Sequence, residues 1–285
     1  MIDIDTLTQE QFARLPLVVE GESKEVRYAG GGLVVIRFKP TIYSFTANRS
    51  GVVPGSDMLR LRATKVLVDV LKKAGIRHTY RAVNDRWALS ELVLQPAAPR
   101  APSPFRPSDV ALKPLPMAPP IEVVVKRMHS GTSKHRYFGM AGHPVRPSHR
   151  AYAWMTFEAD GAYPEPIVRF DWRNPLVDPS GKRLADEVLG DQMADWFINI
   201  AKARATALAV FDALARFLNT KDVVCYDLCL FIAEDGETVY GEVSQDCGRY
   251  RHFDLGSLDK DVWRAGGSSE MVLEKWRTLY EVITK

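Results

Sequence analysis

The stretch Val223–Arg249, "VVCYDLCLFIAEDGETVYGEVSQDCGR", decides how the chain is read. Its first eleven residues are rich in β-branched and aromatic side chains. Asp235-Gly236 then supplies a turn signal, and "ETVYGEV" makes a second strand, so the unit reads as an antiparallel hairpin. Asp227 lies on the first strand and Glu242 at the end of the second. A polar loop with Asp246 and Arg249 follows. Two acids at the end of a hairpin, followed by such a loop, can hold Mg²⁺ against nucleotide phosphates. The plainer reading is an exposed hairpin with a charged surface loop.

Just upstream, "DQMADWFINIAKARATALAVFDALARFLNTK" has the strongest helical period in the chain. Met193, Trp196, Phe197, Ile200, Ala203, Ala207, Val210, Phe211, Leu214 and Leu218 recur at helical spacing, which predicts one long helix over 191–219. "IEVVVKRM", 121–128, reads as a buried strand, and "SSEMVLEKWRTLYEVITK" as a terminal helix. Earlier, "KEVRYAGGGLVVIRFKP" reads as a hairpin around Gly30–Gly32. "MLRLRATKVLVDVLKKAGI" reads as a helix over 58–75, with Leu61, Val66, Val70 and Leu71 near one face and Gly75 as its stop. Between these halves, "QPAAPRAPSPFRPSDVALKPLPMAPP" (95–120) holds nine of the 18 prolines, as an extended linker or insertion does. The expected organisation is a β-rich lobe at 1–94, the linker at 95–120 and an α+β lobe at 121–285.

Composition bounds the function. Of 285 residues, 46% are apolar and 26% charged, ordinary values for a globular protein. The net charge of +3 does not suggest a nucleic-acid binder, and no run is long enough to span a membrane. The acidic start lacks a signal-peptide plan, and three cysteines make no disulfide framework, so a cytoplasmic protein is expected. Cys225 and Cys229 read as core thiols, since four strand residues span roughly 13 Å, too far to share one zinc ion. In "KRMHSGTSKHRY" (126–137), a glycine flanked by hydroxyls follows a strand, among basic side chains. That pattern suits an oxyanion, although a basic surface turn looks the same.

Taken in order from about residue 18 to the end, these pieces resemble the SAICAR synthetase family. Its members join an aminoimidazole carboxylate ribonucleotide to aspartate with ATP and Mg²⁺. The family's "IPGKGxVLxxLS" looks like "VPGSDMLRLRAT" (53–64), and its "ExVVRxxxxGS" like "EVVVKRMHSGT" (122–132). Its "DxKxEFG…GxxxxxDExSPDGSR" looks like "DLCLFIAEDGETVYGEVSQDCGR" (227–249), and its "DKDxFR" like "DKDVWR" (259–264). The resemblance implies a two-lobed α+β fold with an ATP-grasp-like hairpin and a small-molecule nucleotide substrate, with a homo-oligomer among the possible states. It implies a substrate phosphate and ribonucleotide held by Lys126, Ser130, Thr132, Arg249 and Arg264. Lys24 and Arg169 fall to the ATP side, and Asp227, Glu242 and Asp246 to catalysis.

The ATP side departs from the family. Its first lysine is Glu22 here, its strand Lys and Glu fall on Cys229 and Phe231, and its "DE" pair reads Gly241-Glu242. An Asp-Pro becomes Asn174-Pro175. Asp171, Asp227 and Glu242 remain as a reduced Mg²⁺ set. The function expected first is ATP-dependent carboxylate–amine ligation on a phosphoribosyl aminoimidazole or purine-type nucleotide; the alternatives are a diverged relative in a purine-like antibiotic pathway of the coformycin and pentostatin type, doing ring-forming or other chemistry on a ribonucleotide without the normal ATP–Mg²⁺ site, and then a non-catalytic nucleotide binder.

Overall fold

The computed structural model describes residues 2–44, 49–94, 116–130, 161–173 and 186–285. Two antiparallel sheets organise it. The first runs in the order β1-β2-β3-β7-β6 and comprises β1 (Leu17–Glu20), β2 (Lys24–Gly30), β3 (Leu33–Phe38), β6 (Tyr80–Val83) and β7 (Ala88–Glu91). The glycine hairpin expected at β2–β3 is present. Gly30, Gly31 and Gly32 all have positive φ, which explains three glycines in a row. A short pair, β4 (Thr41–Ser44) and β5 (Arg49–Val52), leads into helix α2 (Ser56–Lys73). The helix α1 (Gln9–Arg14), closed by a Thr8–Gln11 capping box, was not foreseen.

The second sheet runs β10-β9-β8-β11-β13-β14, with β12 also paired to β11. Its strands are β8 (Ile121–Met128), β9 (Ala162–Trp172), β10 (Glu187–Leu189), β11 (Val223–Ile232), β12 (Val239–Tyr240), β13 (Gly248–His252) and β14 (Gly256–Ser257). The decisive hairpin closes as expected, with Phe231 opposite Tyr240 and Ile232 opposite Val239. It is short, however, and β11 pairs mainly with β8 and β13.

One face of this sheet is apolar. Val123, Val125, Phe170, Leu228 and Leu230 are buried there in one cluster with Ala203, Ala207, Val210, Phe211, Leu214 and Leu218 of α4 (Ile200–Asn219). Each Val, Leu or Phe among them contributes about 1.5–3 kcal/mol when fully buried. Helix α2 serves both sheets. Leu61 and Val68 join the core of the first, and Ala63, Leu67 and Leu71 that of the second. The terminal helix α6 (Ser269–Thr284) starts at the Ser268 cap and buries Val272, Trp276, Leu279 and Ile283.

The single helix expected over 191–219 is two. A short α3 (Asp191–Ala194) ends before α4 begins. Asn199 caps α4 by accepting from Lys202 N–H at 3.1 Å, and its own N–H donates to Glu234 O of the β11–β12 turn at 3.0 Å. The turn presses so close that a Cβ on Gly236 would lie 2.6 Å from Asn199 O. Met193, Trp196 and Phe197, expected in the core, are instead exposed, Trp196 at 72%. Most of the proline-rich segment lies outside the described residues. Its end returns to the fold, where Ala118 N–H donates to Leu94 O at 2.7 Å.

Candidate functional site

The face of the second sheet opposite α4 is polar. Register places Glu122 beside Asp171, Val124 beside Arg169 and Cys229, and Lys126 beside Asp227, which in turn faces Arg249. Laterally paired residues share a face, so Arg169, Asp171, Glu122, Lys126, Asp227, Cys229 and Arg249 form one strip across β9, β8, β11 and β13.

Three of the expected phosphate-binding cations are linked in this region. Lys126 Nζ lies 3.4 Å from Asp227 Oδ2 and donates to Ser130 O at 2.7 Å. Arg249 also donates to Asp227, and its Nε lies 3.6 Å from Asp261 Oδ1. Arg264 pairs with the same Asp261 and lies 3.5 Å from Asp259. Arg251, which the sequence reading missed, binds both Asp259 and Asp261. Burial alone would raise the Asp227 carboxyl, but Arg249, Lys126 and Arg264 outweigh it and hold it below its ordinary range. Burial, only partly offset by Asp227, lowers the Lys126 ammonium. Ser130 is buried beside this network; Thr132 lies outside the described residues. Asp246 stands apart on the loop after Glu242, 2.9 Å from Lys260 Nζ.

Glu242 occupies a second cluster. Arg60 of α2 grips it with two nitrogens, Nε to Oε1 at 2.7 Å and Nη2 to Oε2. Lys24 Nζ reaches Oε2 at 2.8 Å, and the Ser244 hydroxyl donates to Oε1. Burial pushes this carboxyl up, yet Arg60 and then Lys24 hold it well below the usual carboxylate range. Arg60 is 0% exposed and also donates to Lys39 O at 3.1 Å. Nothing in the sequence singled it out.

The three acids of the expected metal set are each held by cations. Asp171 receives both Nε and Nη2 of Arg169, at 2.8 and 2.7 Å; Asp227 holds Lys126 and Arg249; Glu242 holds Arg60 and Lys24. Each carboxylate is already neutralised by cations in a different cluster. Among the described residues no three His, Cys, Asp or Glu gather in one place, so these three acids do not form one all-protein cage. The positions where the family carries Lys and Glu present Cys229, half-buried rather than in the core, and Phe231, whose ring lies 4.6 Å under the Arg173 guanidinium. Cys225 is in the core as expected. Glu122, also missed, is pushed up to about 7 by burial, with Arg173 opposing and Asp186 and Asp171 adding to the rise.

The SAICAR synthetase family model matches residues 17–279, nearly the whole chain. The chain belongs to the SAICAR synthetase family. A bifunctional cordycepin biosynthesis cluster protein 3 of Cordyceps militaris is 26% identical over 317 residues; the match covers 93% of this chain but only 32% of that longer protein. The phosphoribosylaminoimidazole-succinocarboxamide synthase of Thermococcus kodakarensis is 25% identical, covering 94% of this chain and 96% of its own. The solved synthase of Ehrlichia chaffeensis superposes with a TM-score of 0.68 at 17% identity, over 94% of this chain and 98% of that one. The SAICAR synthetase fold thus accounts for both sheets. No helix among the described residues is long and apolar enough to cross a membrane.

Proposed function

We propose that this SAICAR-synthetase-family chain is a diverged enzyme acting on a phosphoribosylated aminoimidazole or purine-type nucleotide in a purine-like nucleoside pathway. The observation that carries this reading is the linked set Lys126–Asp227–Arg249–Asp261–Arg264. A phosphate arriving there meets three preorganised cations, and charge-assisted bonds make up for its lost hydration. Asp227, which pairs with both Lys126 and Arg249, is assigned the acid–base role. The family match supplies the substrate class, and the cordycepin-cluster relative supports a specialised rather than a primary pathway, of the coformycin and pentostatin type. The Asp171, Asp227 and Glu242 pairings favour chemistry that does not run through Mg²⁺-ATP.

A second reading is ATP-dependent amide ligation, the reaction that family membership suggests. It is favoured by Lys24, which keeps its place on β2 with a side chain 21% exposed. Turnover of 5-aminoimidazole ribonucleotides, with and without ATP and EDTA, separates the two. Product formed in EDTA without nucleotide supports the first reading. Strict dependence on Mg²⁺-ATP establishes the second. Binding without turnover under every condition leaves a nucleotide-binding protein.

A further inference from the structure

We propose that Arg173 reads the base of the bound ribonucleotide, its guanidinium donating to an oxygen acceptor carried on the base ring. This rests on the functional reading above and names the residue that the far end of the polar strip offers to the ligand. The strip is laid out in rows two residues apart. The first row, Lys126, Asp227 and Arg249, belongs to the phosphate. The next holds Cys229, beside Val124 and Arg169. Phe231, two residues on along β11, comes level with Glu122 and Asp171 to make the third. Four strand residues separate the first row from the third, roughly 13 Å. That matches the reach of an extended nucleoside 5′-phosphate. A phosphate on the first row therefore sets the sugar over Cys229, a half-buried thiol that burial keeps protonated, and the base over the third row.

Arg173 follows the last residue of β9 and leans over that third row. Its guanidinium lies 4.6 Å from the centre of the Phe231 ring. The ring is itself fixed. Tyr240 packs on it at 5.7 Å, and Gly241 comes so close that a Cβ there would lie 2.7 Å from Phe231 Cδ2. An arginine laid on a fixed ring has less freedom to lose when a ligand arrives, and its planar fork keeps its edge donors available. Arg173 is exposed. Among the described residues nothing hydrogen-bonds its guanidinium, and no carboxylate stands at salt-bridge distance from it. The other arginines of the strip are committed, Arg169 to Asp171 and Arg249 to Asp227. Glu122 is close enough to feel the Arg173 charge, yet burial pushes its carboxyl up to about 7, so near neutrality it is a weak counter-ion. The platform is this chain's own: where the family motif carries Glu at the Phe231 position, there is no ring for an arginine to lie on.

Calorimetric titration of the intact protein with three probes tests this. They are 5-aminoimidazole-4-carboxamide ribonucleotide, 5-aminoimidazole ribonucleotide, which lacks the oxygen-bearing substituent, and ribose 5-phosphate, which lacks the base. The carboxamide is expected to bind about ten- to 150-fold tighter than the unsubstituted imidazole, the range of one charged hydrogen bond. Arg173→Met keeps an apolar stem on Phe231 and is expected to abolish that advantage while leaving the other two affinities unchanged. Equal binding of the two imidazoles by the wild type overturns the proposal. So does a folded Arg173→Met variant that keeps the advantage, or one that weakens all three probes alike. Should that variant fail to fold, the wild-type comparison decides alone. If none of the three probes binds, the functional reading falls and this inference with it.

Discussion

Arg60 and Glu242 lie 182 positions apart in sequence and meet in a buried two-pronged ion pair, with Arg60 Nε 2.7 Å from Glu242 Oε1. The pair ties α2, which packs on both sheets, to the loop after β12. Removing Glu242 strands the fully buried Arg60, which costs about 3–5 kcal/mol, whereas removing Arg60 leaves Glu242 paired to Lys24. Glu242→Leu is expected to lose that much in urea denaturation. Adding Arg60→Met is expected to recover most of it, because the matched apolar pair leaves only Lys24, which reaches solvent. A double variant as unstable as the sum of the singles argues against a coupled pair.

The same carboxylate sets the behaviour in acid. The folded-state value of Glu242 is depressed by Arg60 and Lys24 in spite of burial. Its contribution is therefore full above the unfolded value near 4.3 and is lost as pH falls through the lower folded value. Glu122 has the opposite sign, since its folded value is raised to about 7. The folded state holds more protons than the unfolded between about 4.3 and 7, so this group makes stability fall as pH rises through that window. Glu122→Gln is expected to raise stability at pH 8 and change it little at pH 5, by denaturation at both. An equal gain at the two pH values assigns the effect to packing.

The break before α4 is a third point of attack. Asn199→Ala removes the cap on Lys202 N–H and is expected to cost about 1 kcal/mol. Gly236→Ala is expected to cost more. Its φ is +73°, and the added Cβ would sit 2.6 Å from Asn199 O and 2.8 Å from Ala203 N. Thermal melts of both variants rank the two, and a milder Gly236→Ala shows that the turn relaxes away from the helix.

Strands β2, β3, β8 and β11 and helices α2, α4 and α6 were legible because each carries its own period. Val123, Val125, Leu228 and Leu230 alternate beneath α4, as a one-sided core requires. The start of α4 was not legible. Met193, Trp196 and Phe197 continue the apolar period, and only the docking of the 234–236 turn on Asn199 ends it. At the site, Lys126, Arg249 and Arg264 were legible because they stand in stretches that resemble the family's motifs. Their neutralising partners were not. Arg60 reaches Glu242 across 182 positions, and Arg251 gains its role from Asp259 and Asp261 on the far side of the β13–β14 turn. Such pairings arise from register and packing, which no local window records.

Arg249 is where the ribonucleotide reading is most exposed to test. It bridges Asp227 and Asp261 and sits between Lys126 and Arg264 in the linked set. Removing it deletes one charged hydrogen bond to an incoming phosphate and leaves Asp227 with Lys126 alone at bonding distance. Arg249→Ala is expected to weaken ribonucleotide binding by about 1.5–3 kcal/mol, or roughly ten- to 150-fold. Arg249→Lys keeps the charge but loses the fork and should recover only part of it. Calorimetry reads the affinity, and a melt on the same samples separates lost binding from lost folding. Unchanged affinity in a folded Arg249→Ala variant takes Arg249 out of the phosphate site and overturns the reading of the linked set as the ribonucleotide's anchor.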